Sequence, residues 1–193
     1  MTKETPTNIS NHFICVDWGS SNFRAYLINR KGDLLEECQS ERGMLNCNGE
    51  FAETLNDICA KWFNRFPDTP VFLSGMVGSR EGWVDAGYMD TPLSLSDLVD
   101  QLVEVPWQKR RTWIVPGVRH YHRDDLSADI MRGEETQILG VMRQYEISDA
   151  IFVLPGTHSK WVHINNGSLE EFKTYMTGEL YSIIKEHSIL RHS

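Results

Sequence analysis

Two short glycine-hydroxyl runs in the 193-residue sequence have the residue types to hold an anion. The first is Gly19-Ser20-Ser21, just after Asp17-Trp18; the second is Gly156-Thr157-His158-Ser159, just after Leu154-Pro155. Glycine lets a backbone approach a ligand closely, and a tight turn aims N–H groups at an anion. Asp17 adds a carboxylate that could hold Mg²⁺ directly or through water. One such hairpin is usually only a turn, whereas two facing each other across a cleft would clamp a chain of phosphates. A third candidate is the pair Glu134 and Glu135, behind Gly133. Either these acids simply suit the positive end of a helix, or one accepts the proton of an attacking hydroxyl during phosphoryl transfer. Neighbouring helical residues point about 100° apart, so only one of the two is expected to face a cleft.

The elements that must position these groups can be read from apolar spacing. His12 to Val16 is a short apolar run, Phe23 to Ile28 a second, and Leu34 toward Gln39 a third, with a turn at Asn29-Arg30-Lys31-Gly32-Asp33. This predicts an antiparallel meander of three strands. Phe51, Leu55, Ile58, Cys59 and Trp62 recur at helical spacing, predicting one helix over residues 50–66 closed by Pro67. Val71-Phe72-Leu73 reads as a buried strand. From Glu134 onward Ile138, Leu139, Val141, Met142 and Tyr145 mark an amphipathic helix ending near Glu146.

The meander then returns. Ile151 to Leu154, Lys160 to Ile164, the turn Asn165-Asn166-Gly167 and Ser168 to Glu171 repeat the first pattern, with Gly156-Thr157 at the place of Gly19-Ser20 and Ile164 at that of Ile28. A domain-sized repeat implies two related lobes rather than a solenoid; the alternative is two meanders alike by accident.

The formal net charge of −8 argues against non-specific nucleic-acid binding and against an anionic membrane surface, the one basic run being Lys109-Arg110-Arg111. No stretch approaches the roughly 20 apolar residues of a membrane span. Cys15, Cys38, Cys47 and Cys59 show no CxxC spacing, which favours a reduced cytoplasmic protein. Met1 to Asn11 is polar, lacks the apolar centre of a secretion signal, and is expected to fray.

Six segments, read together, resemble the 2-dehydro-3-deoxygalactonokinase family of the actin/hexokinase/Hsp70 superfamily. They are Val16-Asp17-Trp18-Gly19-Ser20-Ser21-Asn22-Phe23-Arg24-Ala25, residues 74–83, Val115-Pro116-Gly117, Met131-Arg132-Gly133-Glu134-Glu135-Thr136-Gln137, residues 154–161 and Tyr175-Met176-Thr177-Gly178-Glu179-Leu180. The resemblance implies a ribonuclease H-like α/β fold of the actin/hexokinase type. It also implies ATP- and Mg²⁺-dependent phosphorylation of the 6-hydroxyl of a six-carbon 2-keto-3-deoxy sugar acid. Asp17 with Gly19, Ser20 and Ser21 resembles the first phosphate loop, and Gly156, Thr157, His158, Ser159 and Lys160 the second. The helix start at Glu134 and Glu135 resembles the segment that supplies the general base in related exopolyphosphatases. A keto acid's carboxylate suits a planar Arg fork, so Arg80 beside Ser79 is the first choice, with Arg24 and Arg132 behind it. Met76, Trp83 and Tyr88 either wall the sugar pocket or merely pack. His158 either bonds a phosphate or holds its turn.

The sequence departs from the family in two respects. The second loop has Leu154-Pro155 where the first has Asp17-Trp18, leaving the metal mainly to Asp17. Family members also continue further than this chain. Residues 1–11 are thus expected to be a tail, 12–149 a complete N-terminal lobe, and 150–193 the start of an incomplete second lobe. Apolar surface left open there favours self-association into a homo-oligomer. Besides the kinase reading, two alternatives stay open: an inactive remnant that binds the sugar acid only, and a phosphohydrolase of the same fold.

Overall fold

The structure, a computed structural model, describes residues 10–122 and 127–189. The expected tail lies outside these residues as far as residue 9. In chain order the elements are β1 (His12–Trp18), β2 (Phe23–Asn29), β3 (Leu34–Ser40), α1 (Phe51–Ile58), α2 (Ala60–Arg65), β4 (Val71–Ser74), β5 (Tyr88–Asp90), β6 (Leu93–Ser94), α3 (Leu95–Asp100), β7 (Val103–Glu104), β8 (Thr112–Ile114), β9 (Gly117–Tyr121), β10 (Ala128–Met131), α4 (Glu134–Tyr145), β11 (Ala150–Leu154), β12 (Ser159–Asn165), β13 (Ser168–Tyr175) and α5 (Thr177–His187). They form two compact units. The first holds the described residues up to Asp85 with Val103–Ile114, the second Ala86–Leu102 with the described residues from Val115 on.

The first unit is a six-stranded sheet in the order β3-β2-β1-β4-β8-β7. The predicted meander is its first half, β1 and β3 each pairing antiparallel with β2. The sheet continues with β4 and β8 parallel to β1. Alternation decides which side is buried: Ile14, Val16, Trp18, Ala25 and Leu27 are almost fully shielded. The single helix expected over residues 50–66 is two, because the backbone of Cys59 leaves helical geometry (φ −94°, ψ 8°). The break leaves Phe51 and Leu55 buried from one helix and Trp62 and Phe63 from the next. It also lets Trp62 Nε1 donate to Glu36 on β3 at 3.0 Å, beside Lys61 and Arg65. With hydrogen bonds from Arg65, Trp62 and Lys61 favouring its charged form, the Glu36 carboxyl is held down to about 2.

The second unit holds a four-stranded sheet, β11-β12-β13-β6, and a three-stranded one, β10-β9-β5. Its core gathers Val162, Ile164, Leu169 and Phe172 from the first sheet, Val118 and Met131 from the second, and Ile138, Leu139 and Met142 from α4. Helix α4 ends as its pattern predicts, at Glu146, a left-handed residue (φ 53°) whose N–H bonds the Met142 carbonyl. A capping box between Ser94 and Asp97 starts α3. The units cut the chain elsewhere than residue 150: residues 86–102 and 115–149 join β11–β13 because β6 pairs with β13 and α4 shares their core.

The internal repeat extends to single residues. The pairing of β2 with β3 shifts register between Leu27 and Ile28, and that of β12 with β13 between His163 and Ile164, at the matched isoleucines. Each hairpin turns through left-handed backbone, at Gly32 in the first and at Asn166 and Gly167 in the second.

Candidate phosphate loops and carboxylate pair

In the first unit the Gly19-Ser20-Ser21 turn is held from behind. Its carbonyls accept from the 43–45 segment: Met44 N to Gly19 at 2.9 Å, Leu45 N to Ser20 at 3.0 Å and Gly43 N to Ser21 at 3.2 Å. The N–H groups of Ser20 and Ser21 donate to no acceptor among the described residues. With its acceptors occupied and donors left over, the turn suits an anion. Gly43 permits the contact, since a Cβ there would lie 2.3 Å from the Ser21 carbonyl carbon.

Asp17, the last residue but one of β1, lies beside Ser74 of β4 and opposite Arg24 of β2, whose Nη1 lies 3.4 Å from its Oδ2. Arg24 is therefore engaged with Asp17. Asp17 keeps about a third of its side-chain surface exposed, which fits a ligand to a hydrated cation. Gly75, at φ +93°, lets the turn after β4 pass within van der Waals reach of Trp18 and Asp17. Beyond it, Ser79 is buried, its hydroxyl 3.6 Å from the Met44 sulfur. Arg80 is 88% exposed, with Asp85 at 3.8 Å. Trp83 packs against Trp18, Phe51 and Trp107, so it is part of an aromatic core.

The second unit repeats the loop architecture. Gly178 N donates to the Gly156 carbonyl and Glu179 N to that of Thr157, both at 3.1 Å, while the N–H groups of Gly156 and Thr157 find no described acceptor. Gly178 plays the part of Gly43, because a Cβ there would lie 2.6 Å from the Gly156 oxygen. His158 Nε2 sits 2.6 Å from Glu179 Oε2, an interaction that braces the turn. Ser159 is buried. Lys160 is buried too: its ammonium donates to the Ile130 carbonyl at 2.5 Å and to Thr174 Oγ1 at 2.8 Å. Burial lowers its pKa, opposed by the charges of Glu134 and Asp129. Lys160 thus ties the second loop to β10, which leads into the carboxylate pair.

Glu134 and Glu135 differ sharply. Glu135 is fully buried, both oxygens accepting from Gly133 N (2.8 and 2.7 Å) and one from Thr136 Oγ1 at 3.2 Å. Burial pushes its carboxyl up to about 7. Glu134 stays partly exposed, its Oε2 accepting only from Arg132 N at 3.0 Å among the described residues. Arg132 stacks over Tyr88 at 4.4 Å and donates through Nη2 to the Gly87 carbonyl at 2.9 Å. Its Nε and Nη1 are buried with no described partner. The sequence does not mark this cation as unpaired, since pairing depends on residues 45 positions away. Sequence spacing also missed Asp129, which accepts from His122 Nε2 at 2.9 Å and Thr174 N at 3.1 Å in the same network.

Sheet order and paired glycine loops define the class: an α/β protein of the actin/hexokinase-like fold. A Ppx/GppA family structure from Aquifex aeolicus shares it at TM-score 0.50 and 12% identity, over 91% of this chain and 54% of that one. The chain belongs to the 2-keto-3-deoxy-galactonokinase family, whose model matches residues 17–193. It is 40% identical over 180 residues to the 2-dehydro-3-deoxygalactonokinase of Escherichia coli K12, covering 92% of this chain and 58% of that protein. It is 36% identical over 184 residues to a Rhizobium meliloti (strain 1021) protein provisionally given the same name, covering 95% and 60%. A Sinorhizobium meliloti crystal structure described as a candidate member superposes at TM-score 0.84 with 37% identity, over 93% of this chain and 59% of that one. The chain thus spans about three-fifths of the length of these curated relatives.

Proposed function

We propose that this chain carries the phosphate-binding and acid-binding part of a kinase that phosphorylates the 6-hydroxyl of 2-dehydro-3-deoxy-D-galactonate. ATP would supply the phosphoryl group, with Mg²⁺ neutralising its charge. The observation that carries the reading is the duplicated loop, in which carbonyls are tied to a later segment while amides find no acceptor among the described residues. Ser20 and Ser21 in one loop, and Gly156 and Thr157 in the other, offer N–H donors to phosphoryl oxygens. Asp17 is the residue to hold the metal, directly or through water.

Glu134 is the better general base. It is the accessible member of the pair, and a base must reach the proton it removes. Glu135, wrapped around the Gly133 N–H, holds the first turn of α4 in place. For the substrate carboxylate, Arg132 gains on Arg80 because its guanidinium already has buried donors without a partner. A role in galactonate or galactose breakdown and the cytoplasmic setting belong to the same proposal.

Separate titrations with ATP and with the keto acid, followed by a coupled assay for ADP, test it. Turnover that requires the acid supports the kinase. Acid binding without ATP binding marks an inactive remnant, and loss of ATP or polyphosphate without the acid marks a phosphohydrolase.

A further inference from the structure

Two of the four cysteines meet in the first unit. On β3, an edge strand of the six-stranded sheet, Glu36, Cys38 and Ser40 are half-buried while Leu35, Glu37 and Gln39 are exposed. Glu36 holds this face of β3 against α2 through Lys61, Trp62 and Arg65. Two residues further along the same face, Cys38 reaches Cys59, the residue at which α1 gives way to α2. The Cys59 thiol donates to the Cys38 sulfur. Cys38 is half-buried, whereas Cys59 is 1% exposed. Their contact lowers the Cys38 pKa against the opposing effect of burial, and the same contact together with burial raises that of Cys59. The other two thiols are placed differently: burial pushes Cys15 up to about 11, and Cys47 donates to the Met44 carbonyl at 3.1 Å.

The residues between the two cysteines include the segment that clasps the first glycine turn. Arg42 donates to Thr54 Oγ1 of α1 at 2.9 Å, and its carbonyl accepts from Trp18 Nε1 at 3.1 Å. The N–H groups of Gly43, Met44 and Leu45 then bond the Ser21, Gly19 and Ser20 carbonyls. We infer that Cys38 and Cys59 form a thiol pair that reacts with a small disulfide, and that the bond made between them tightens the clasp on the Gly19-Ser20-Ser21 turn. Cys38 is the entry point, being the less buried sulfur and the one on which negative charge is favoured. Having lost its proton to solvent, it attacks one sulfur of the small disulfide, whose S–S bond breaks and releases a thiolate that takes up a proton. Cys59 then gives its own proton to solvent, attacks the Cys38 sulfur and expels the second small thiol. One small disulfide is thus reduced to two thiols while two protein thiols are oxidised to one bond. The ring so closed holds residues 39–58, and fewer open conformations of that ring leave the clasp more often formed. The inference rests on the sulfur contact and the clasp, and it holds whether or not the kinase reading does.

Oxidation of the folded 193-residue chain tests it. The chain is freed of reductant and titrated with oxidised glutathione, with no nucleotide or sugar acid present. Mass spectrometry should show the loss of two hydrogens and no retained glutathione. A digest should give peptides joined through Cys38 and Cys59, and the join should persist in the Cys47→Ala variant. Cys59→Ser should stop the reaction at a glutathione adduct on Cys38, and Cys38→Ser should leave Cys59 unmodified, both with unchanged circular dichroism. Should a serine variant lose its fold, the wild-type digest and exchange still decide. In the bridged chain amide exchange at Met44 and Leu45 should slow ~10-fold, less than the full constraint of a ring of this length, and dithiothreitol should restore the original rate. A folded wild-type chain that keeps its thiols free, retains glutathione on Cys38 or bridges through Cys47 overturns the inference. So does a Cys38–Cys59 bond that leaves exchange at Met44 and Leu45 unchanged.

Discussion

The adjacent glutamates show how far residue types and spacing lead. Helical geometry already required Glu134 and Glu135 to point in different directions, but which one is buried depends on packing that the local sequence does not encode. At the position of Glu134 in a full-length relative, Glu→Gln should lower kcat by ~10²-fold or more, the usual range for a general base, and leave both substrates' affinities nearly unchanged. Normal turnover in that variant would remove the assignment. Glu135 makes a different prediction. Burial raises its carboxyl from 4.5 to about 7, so over that interval the folded chain keeps a proton that the unfolded chain has released. Its stability contribution is therefore greatest below pH 4.5 and falls as pH rises through 7, at up to ~1.4 kcal/mol per pH unit. Thermal melts from pH 4.5 to 8 should show this slope, and Glu135→Gln should flatten it. Arg132 supplies a third test. Arg132→Met removes a guanidinium whose buried Nε and Nη1 have no partner among the described residues while keeping the stem over Tyr88, so the melting temperature should hold or rise. Keto-acid affinity should fall by ~10- to 100-fold, the cost of losing a hydrogen bond to a charged group, with ATP affinity unchanged by calorimetry.

Single elements explain why the loops have their shape. Each turn is clasped by the segment that starts the next helical region, and the clasp needs a glycine at Gly43 in one copy and Gly178 in the other. Gly178→Ala would press a methyl onto backbone of the second loop, and overpacking of this kind costs ~1–3 kcal/mol. Gly140, inside α4, has open space where a Cβ would go. Gly140→Ala should therefore stabilise the same unit by up to ~1 kcal/mol through helix propensity. Denaturant melts of the two variants should move in opposite directions, and ATP affinity should drop only for Gly178→Ala. The sequence disclosed the two meanders and their turns because strand alternation and glycine turns are local signals. It did not disclose the clasp, since the Gly19–Met44 and Gly156–Gly178 contacts join residues more than 20 apart. Nor did it disclose the break at Cys59, an apolar residue inside an unbroken helical pattern, where the pull of Glu36 on Trp62 is a tertiary effect. Lys160 looked like a free phosphate ligand for the same reason: its anchors, Ile130 and Thr174, come from other strands.

For the whole molecule, the division into units is the feature least visible in the sequence, because each is assembled from two separate stretches. A boundary at residue 150 follows naturally from the start of the second meander. Burial argues otherwise: the apolar stripe of α4 (Ile138, Leu139 and Met142) shares its core with Val162, Ile164 and Phe172 of β12 and β13. Ending the chain after Asp149 should therefore not leave one intact lobe. It removes most of the four-stranded sheet and uncovers α4, so residues 86–102 and 115–149 should lose amide-exchange protection. The first unit keeps its own six-stranded sheet and its aromatic core, and five of the six tryptophans lie in it. The shortened chain should retain a cooperative melt by tryptophan fluorescence together with protected amides in β1, β2 and β4. Protection surviving along α4 would show that this helix draws its stability from elsewhere, and loss of the fluorescence transition would show that the first unit cannot stand without the second.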